Sequence, residues 1–158
     1  MPDLMSHLII GLILAELFNV KKKSIVILGA LTPDLLSKMN LVYLYLKIPA
    51  LVSFVSFHTP FMSLLLSILI TQLFNYDKTK IVLYFNLGSM SHYLSDLSIR
   101  HFTEVGTRLF FPFTNKNYTL NLVWPNHSIY ILIGSLIVYF IIILIKYKKL
   151  SKSTTRNL

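Results

Sequence analysis

The 158-residue sequence contains no cysteine. This absence excludes a disulfide framework, a thiolate metal site and a cysteine nucleophile, so any metal must bind nitrogen and oxygen ligands. Charged residues are also scarce, at 13% of the chain, where an average soluble domain has about a quarter. Hydrophobic residues make up 54% and the mean hydropathy is +0.65. We therefore predict an integral membrane protein of one domain, with the lipid bilayer as its surroundings.

Acidic residues are few, with 6 against 15 basic residues and a net charge of +9. The basic residues occur in short clusters at 21–23, 78–80 and from 146 onward, and each cluster flanks an apolar segment. This pattern favours topogenic charge on the cytoplasmic side over a nucleic-acid surface. The residues before the first apolar segment include Asp3 and no basic residue, so we expect that segment to be retained rather than cleaved as a signal peptide.

Apolar segments predict an all-α, multi-pass transmembrane bundle of about four to five helices, some of them short or re-entrant. The segments are roughly 4–20, 24–37, 58–74, 81–97 and 128–146. The last one carries no charge before Lys146 and is long enough to span a bilayer. The second is short, and Pro33 removes a backbone donor, so we expect that helix to end near residue 37. We predict an interfacial or re-entrant stretch over 41–57.

The predicted organisation is a single membrane-embedded domain over 1–146, which includes a long outer loop at 98–127, and a disordered basic cytoplasmic tail at 147–158. If all five segments cross the membrane, ten of the fifteen basic residues lie on one side. They are Lys21, Lys22, Lys23, Lys78, Lys80, Lys146, Lys148, Lys149, Lys152 and Arg156. The positive-inside rule makes that side cytoplasmic and places the N-terminus and the long loop outside.

On this map the histidines and most acidic residues converge on the outer side. These residues are His7, Asp34, His58, His92, Asp96, His101 and Glu104. Taken alone, Asp34 is explained as well by a turn after Pro33 as by a functional role. His58, taken alone, is explained as well by an interfacial histidine. His92 and Asp96 are four apart and share a helix face, at a depth where ionisable residues are expensive and are candidates for function.

Imidazoles and carboxylates together suit zinc, manganese, nickel or iron, and zinc is the default for a non-redox hydrolytic site. Such a metal activates water for attack on a phosphoryl or acyl centre, with Asp34 or Glu104 as the general base. Arg100 and Arg108 are candidates for binding an anionic substrate group, although surface or headgroup contact explains them better. Glu16 lies away from this cluster, and we expect it to pair with a lysine. His127 reads as part of a cap region.

Five short motifs follow one another in order. They are Met1-Pro2-Asp3 with Ser6-His7-Leu8, LGALTPDL at 28–35, Phe57-His58-Thr59, SHYLSDL at 91–97 and GTRLFFPF at 106–113. In these motifs the chain resembles the YdjM-like membrane-bound metal-dependent hydrolases. The resemblance implies a multi-helix membrane protein with a metal site at His7, Asp34, His58, His92 and Asp96.

The chain departs from that family at one motif. The family pattern His-Arg-Gly-x-x-His-Ser would place a histidine, an arginine and a glycine where this chain has Ser53, Phe54 and Val55. The missing imidazole is consistent with a mononuclear site, with a further ligand from His101, or with lost catalysis. We therefore expect a metal-dependent hydrolase of a phosphoester, including that of a phospholipid, or of another ester at the outer face. The alternatives are a non-catalytic scaffold or partner-binding protein and, less favoured, a divalent-cation carrier.

Overall fold

A computed structural model describes residues 4–46, 57–100 and 107–155, and the side chains at 40–44 and 150–155 lie outside this description. The described chain folds into five α-helices. They are α1 (Leu4–Leu17), α2 (Lys23–Leu46), α3 (Pro60–Ile70), α4 (Lys78–Ser98) and α5 (Ser128–Thr155), with a 3-10 turn at Pro125–His127 before α5. Over these residues there is no strand, only two isolated bridges, Ile99 with Val123 and Thr107 with Tyr118. The predicted all-α fold with five helices is confirmed.

Helix α2 is longer than the sequence suggests, because it continues through Pro33 to Leu46. The prediction that it ends near residue 37 is wrong. In an α-helix the amide of residue 33 would bind the carbonyl of residue 29, and proline has no N–H to donate. The Ser89 hydroxyl of α4 instead donates to the Gly29 carbonyl oxygen at 3.1 Å, so the carbonyl left free is satisfied from a neighbouring helix. Residues 41–46 of the predicted re-entrant stretch are thus helical, and 47–56 lie outside the described residues.

Helices α2 and α4 form the centre of the bundle with their backbones in direct contact. A Cβ atom at Gly29 would lie 2.0 Å from the Phe85 carbonyl oxygen, and one at Gly88 would lie 2.0 Å from that of Val26. Only glycine fits at these two positions, as small residues do where membrane helices approach closely. Helix α1 packs on both central helices, and α3 packs mainly on α4.

Helix α5 stands apart, since among the described helices it packs only against α1. Within the described residues, Pro125–Lys149 is the one stretch that is both long and apolar enough to cross a membrane. At 1.5 Å per residue, α1 and α3 are about 21 and 16 Å long, well short of a hydrocarbon core of about 30 Å. Helix α5 continues to Thr155. The predicted disorder of the tail from 147 is therefore wrong over 147–155. Lysine and leucine in that stretch are good helix formers and favour the helix.

The long loop after α4 folds back onto the end of that helix. The backbone amides of Leu120 and Val123 donate to the carbonyl oxygens of Leu97 and Ser98, at 2.7 and 2.9 Å, and the Arg100 amide donates to Val123 at 2.8 Å. These bonds satisfy carbonyls that a helix end leaves without intrahelical partners. The described part of the loop is therefore ordered against α4, close to Asp96.

Candidate metal centre

Four of the predicted metal ligands meet at one end of the bundle. Asp34 comes from α2, His58 precedes α3, and His92 and Asp96 come from α4. Each offers one ligand atom, and these four atoms all lie within 4.8 Å of one another, so the group can hold a metal ion. We call Asp34, His58, His92 and Asp96 the four-residue cluster.

The Asp96 carboxylate lies among three imidazoles. Its Oδ2 is 3.0 Å from Nε2 of His58 and 3.3 Å from Nε2 of His92. Its other oxygen, Oδ1, is 3.4 Å from Nε2 of His7. The His7 ring also stacks on the His92 ring, with centroids 4.0 Å apart. The structure therefore brings all five sequence-predicted ligands together, with His7 at the edge of the four-residue cluster.

The Asp34 carboxylate faces the same imidazoles from the other side. Its Oδ1 is 3.7 Å from Nε2 of His58 and 3.8 Å from that of His92, and its Oδ2 is 3.6 Å from Nζ of Lys38. Among the described residues, neither oxygen of Asp34 nor Oδ1 of Asp96 has a hydrogen-bond donor, although all three are buried. Burying carboxylate oxygens without donors is costly unless a cation compensates. The donor set and these oxygens therefore fit a divalent metal ion.

A backbone carbonyl orients the His92 ring. Its Nδ1 lies 2.9 Å from the carbonyl oxygen of Ala30, which only accepts, so in the neutral ring Nδ1 carries the proton and Nε2 presents a lone pair to the cluster. Nε2 of His58 is 2.8 Å from this Nε2. His58 is therefore the donor in that contact, and its Nε2 proton must leave before both imidazoles can bind one ion.

His58 is the most accessible member of the four-residue cluster, with a side chain 14% exposed while the other three are buried. The Tyr93 ring packs edge-on against both His58 and His92, with centroids 5.7 and 5.5 Å away. The Tyr93 hydroxyl is fixed by a 2.6 Å hydrogen bond to the Ser63 hydroxyl of α3. Among these four residues, His58 is therefore the one that can be reached from outside the bundle.

Three contributors were missed by the sequence reasoning. Lys38 pairs with Asp34 at a spacing of four residues, a helical signal that the sequence carries. The Ala30 carbonyl and Tyr93 act through contacts between helices, for which the sequence carries no local signal.

The remaining predicted site residues have different outcomes. His101 and Glu104 lie outside the described residues, as do Ser53, Phe54 and Val55 of the departing motif. The Arg100 guanidinium lies over the Trp124 ring, 4.2 Å from its centroid. A substrate-binding role for Arg100 and Arg108 stays a prediction, as does general-base catalysis by Asp34.

A second charged cluster lies at the other end of α1. The buried Glu16 carboxylate accepts hydrogen bonds from Lys23 and, at 2.9 Å, from Lys146 of α5. The Lys146 ammonium also donates to the Glu16 carbonyl oxygen at 2.5 Å and to the Asn19 side chain at 2.8 Å. The expected pairing of Glu16 with a lysine is confirmed, and it joins α5 to α1. His127 is exposed in the turn before α5.

Comparison with known proteins bears on the family. Neither the curated proteins nor the solved structures include a match to this chain. A sequence model of the YdjM inner membrane protein family matches residues 1–155, which is nearly the whole chain. The protein therefore belongs to the YdjM inner membrane protein family.

Proposed function

We propose that this protein is a metal-dependent hydrolase that acts on a phosphoester or another ester at the outer face of the membrane. The observation that carries the proposal is the four-residue cluster, whose ligand atoms lie within 4.8 Å of one another and whose buried carboxylate oxygens include three without a hydrogen-bond donor. Two imidazoles and two carboxylates are a ligand set that zinc accepts, and we propose zinc as the metal.

The chain's residues divide the work as follows. Nε2 of His58, Nε2 of His92 and one oxygen each of Asp34 and Asp96 would hold the ion. When bound, a divalent ion supplies a Lewis acid that activates water and polarises the substrate. The second oxygen of Asp34 takes the proton of the attacking water as general base, and Lys38, 3.6 Å away, stabilises the ionised carboxylate. Glu104 is the alternative base, and Arg100 and Arg108 bind the anionic group of the substrate.

We further propose a multi-pass topology with the N-terminus outside and the C-terminus in the cytoplasm. The charged cluster supports it, because Lys23 and Lys146 both reach Glu16, nine residues along α1 from His7. That separation is about 13 Å along the helix, so these two lysines lie toward the end of α1 away from the four-residue cluster, whereas Lys38 lies beside the cluster. Basic residues on the cytoplasmic side are what the positive-inside rule requires.

Metal analysis of the purified protein tests the proposal. Wild-type protein loaded with zinc and freed of excess should retain about one ion per chain, as a single four-ligand site would. Asp96→Asn, which preserves side-chain volume but removes the ligand charge, and His92→Ala should both lose it. His127→Ala is the matched control, because it removes an exposed histidine outside the cluster. Equal metal content in all four proteins would overturn the metal site.

Hydrolysis is measured separately on the same four proteins with a chromogenic phosphodiester and a chromogenic carboxylic ester. We expect zinc-dependent turnover by wild-type protein and His127→Ala only. Metal retention without turnover of either probe class would leave a metal protein and contradict the hydrolase.

A second candidate, a non-catalytic scaffold, is favoured by one observation. The 2.8 Å contact between Nε2 of His58 and Nε2 of His92 and the 3.0 Å contact of His58 with Asp96 form an internal network that needs no ligand. A scaffold predicts that zinc does not raise the thermal unfolding midpoint of the wild-type protein. A zinc-dependent rise that is absent in Asp96→Asn would exclude it.

A further inference from the structure

A cleft of about 300 Å³ lies between α3 and α4, next to the candidate metal centre. It is lined by Pro60, Phe61, Ser63 and Leu64 of α3 and by Asn86, Ser89, Met90 and Tyr93 of α4. The two helices run antiparallel, since Ser63 bonds Tyr93 and Ser67 bonds Asn86. The cleft therefore starts at Pro60 and Tyr93 and extends along α4 to Asn86, seven residues or about 10 Å away.

The end of the cleft at Tyr93 adjoins the metal ligands. The Tyr93 ring contacts the rings of His58 and His92. Pro60 follows His58 by two residues, so their Cα atoms are at most about 7.6 Å apart. A molecule lying in the cleft would therefore have one end beside His58, the most accessible member of the cluster.

The walls of the cleft favour a hydrocarbon ligand over a polar one. None of the eight lining residues is charged. The hydroxyls of Ser63 and Tyr93 bond each other, the Ser89 hydroxyl bonds backbone carbonyls, and the Asn86 amide donates to Ser67 and Val82. Because these groups already have partners, a polar ligand would gain few hydrogen bonds here.

The cleft also opens outward rather than into the bundle. The side chains of Leu64 and Met90 at its rim are about half exposed. In a protein of an inner membrane family, apolar rim residues of this kind face lipid tails. Since lipid tails are as apolar as the wall, the binding must come from shape and van der Waals contact, and the high lipid concentration of a bilayer compensates for a modest affinity.

We infer that the cleft between α3 and α4 binds one acyl chain of a membrane glycerolipid, and that this chain holds the ester or phosphoester group of the lipid beside His58. The cleft thus defines the substrate class as a lipid. Its role in catalysis rests on the proposed function, but the binding of an acyl chain does not.

The chain offers two matched pairs of variants for the test. Leu64 and Leu65 are neighbours on α3 with exposed fractions of 45% and 42%, and only Leu64 lines the cleft. Met90 and Leu94 are one turn apart on α4, both exposed, and only Met90 lines it. Leu64→Trp and Met90→Trp fill the cleft, whereas Leu65→Trp and Leu94→Trp add the same bulk outside it.

The experiment is native mass spectrometry of delipidated protein in detergent, titrated with dioleoyl phosphatidylglycerol. We expect the apparent affinity for one lipid to fall about ten-fold, a change worth roughly 1.4 kcal/mol, in Leu64→Trp and Met90→Trp and to stay at the wild-type level in Leu65→Trp and Leu94→Trp. Equal lipid binding by both members of each pair would overturn the inference. Circular dichroism melting checks that all four variants fold, independently of whether the protein binds metal.

Two outcomes separate this inference from the proposed function. Loss of lipid binding in the cleft variants of a protein that binds no metal would refute the metal centre and leave the acyl-chain site. Turnover of a long-chain lipid ester at the wild-type rate in Leu64→Trp, with metal bound, would refute the cleft as the substrate site and leave the hydrolase.

Discussion

Replacing Gly88 by alanine should damage the bundle and the metal centre together. The added Cβ would lie 2.0 Å from the Val26 carbonyl oxygen and 2.7 Å from the Ala30 amide nitrogen. Ordinary contact begins at 3.4 Å, and 3.4 minus 2.0 is 1.4 Å, so α4 must move away from α2 by about that distance. His92 lies one turn beyond Gly88, and its 2.9 Å bond to the Ala30 carbonyl would then exceed hydrogen-bond length.

Overpacking of this kind typically costs about 1–3 kcal/mol, and a lost bond to a buried carbonyl adds about 1–3 kcal/mol. For a chain of this length each kcal/mol lowers the thermal midpoint by about 2–4 °C, so Gly88→Ala should unfold roughly 5–20 °C lower. Zinc retention should fall with it. The assay is circular dichroism melting in detergent, with metal analysis of the same samples.

A graded control series sits on the other glycines. A Cβ atom added at Gly134 would have no neighbour within 4 Å, and at Gly11 its nearest contact would be the Ala30 Cβ at 3.1 Å. Gly134→Ala should leave the free energy of unfolding unchanged or raise it by about 1 kcal/mol, since alanine is the better helix former. The stability of Gly11→Ala should lie between those of Gly134→Ala and Gly88→Ala. A Gly88→Ala protein that melts within about 2 °C of wild type, less than 1 kcal/mol, and keeps its metal would refute the close approach of α2 and α4.

Three further outcomes are expected. Ser89→Ala should lower the free energy of unfolding by about 1–3 kcal/mol because it leaves the buried Gly29 carbonyl without a donor. In a Pro33→Ala background the amide of residue 33 can donate to that carbonyl, so the same substitution should lower the free energy of unfolding by less. Equal losses in both backgrounds would argue against this exchange of donors. Lys146→Met should lower the thermal midpoint by several degrees, since charged hydrogen bonds contribute about 1.5–3 kcal/mol each. Lys149→Met, at an exposed position, should leave the midpoint unchanged. Similar midpoints for the two variants would count against the link between α1 and α5. Adding a chelator to wild-type protein should lower its free energy of unfolding by about 2.7 kcal/mol if zinc was present at a hundred times its dissociation constant. The stability of Asp96→Asn should not change on addition of the chelator. An equal chelator effect on both proteins would indicate that zinc binds elsewhere.

The sequence was sufficient for the helical fold and for the five residues that meet at the candidate metal centre. Hydropathy located the five helices, because burial of apolar side chains is a local property of each segment. The alternation of segment direction placed His7, Asp34, His58 and the His92–Asp96 pair at one end, and the structure brings these side chains together. Segment order and residue type were enough for this grouping, although Asp34 lies in the middle of α2 rather than near its end.

The sequence was insufficient where one helix completes another. Pro33 is locally a helix-breaking residue, but the Ser89 hydroxyl of α4 donates to the Gly29 carbonyl that Pro33 leaves free, and this contact joins residues that are sixty positions apart. The helical course of 147–155 was missed because a basic composition suggested a solvated tail, whereas the preceding Lys146 is anchored on Glu16. The orientation of His92 depends on the Ala30 carbonyl, a group that every residue carries and that no motif marks.

These interhelical bonds give a structural role to the helix-breaking Pro33, which precedes the candidate metal ligand Asp34. Because Pro33 has no amide hydrogen, the Gly29 carbonyl is free to accept from Ser89, and the next carbonyl, that of Ala30, accepts from His92. Two successive carbonyls of α2 thus hold two residues that share one face of α4. A slide of α4 by one residue, about 1.5 Å, would stretch both bonds beyond the usual hydrogen-bond range and shift His92 relative to Asp34. Pro33 therefore contributes to the site by helping to fix the axial position of α4 relative to α2. The two hydrogen bonds also need the close contact between these helices that Gly88 permits.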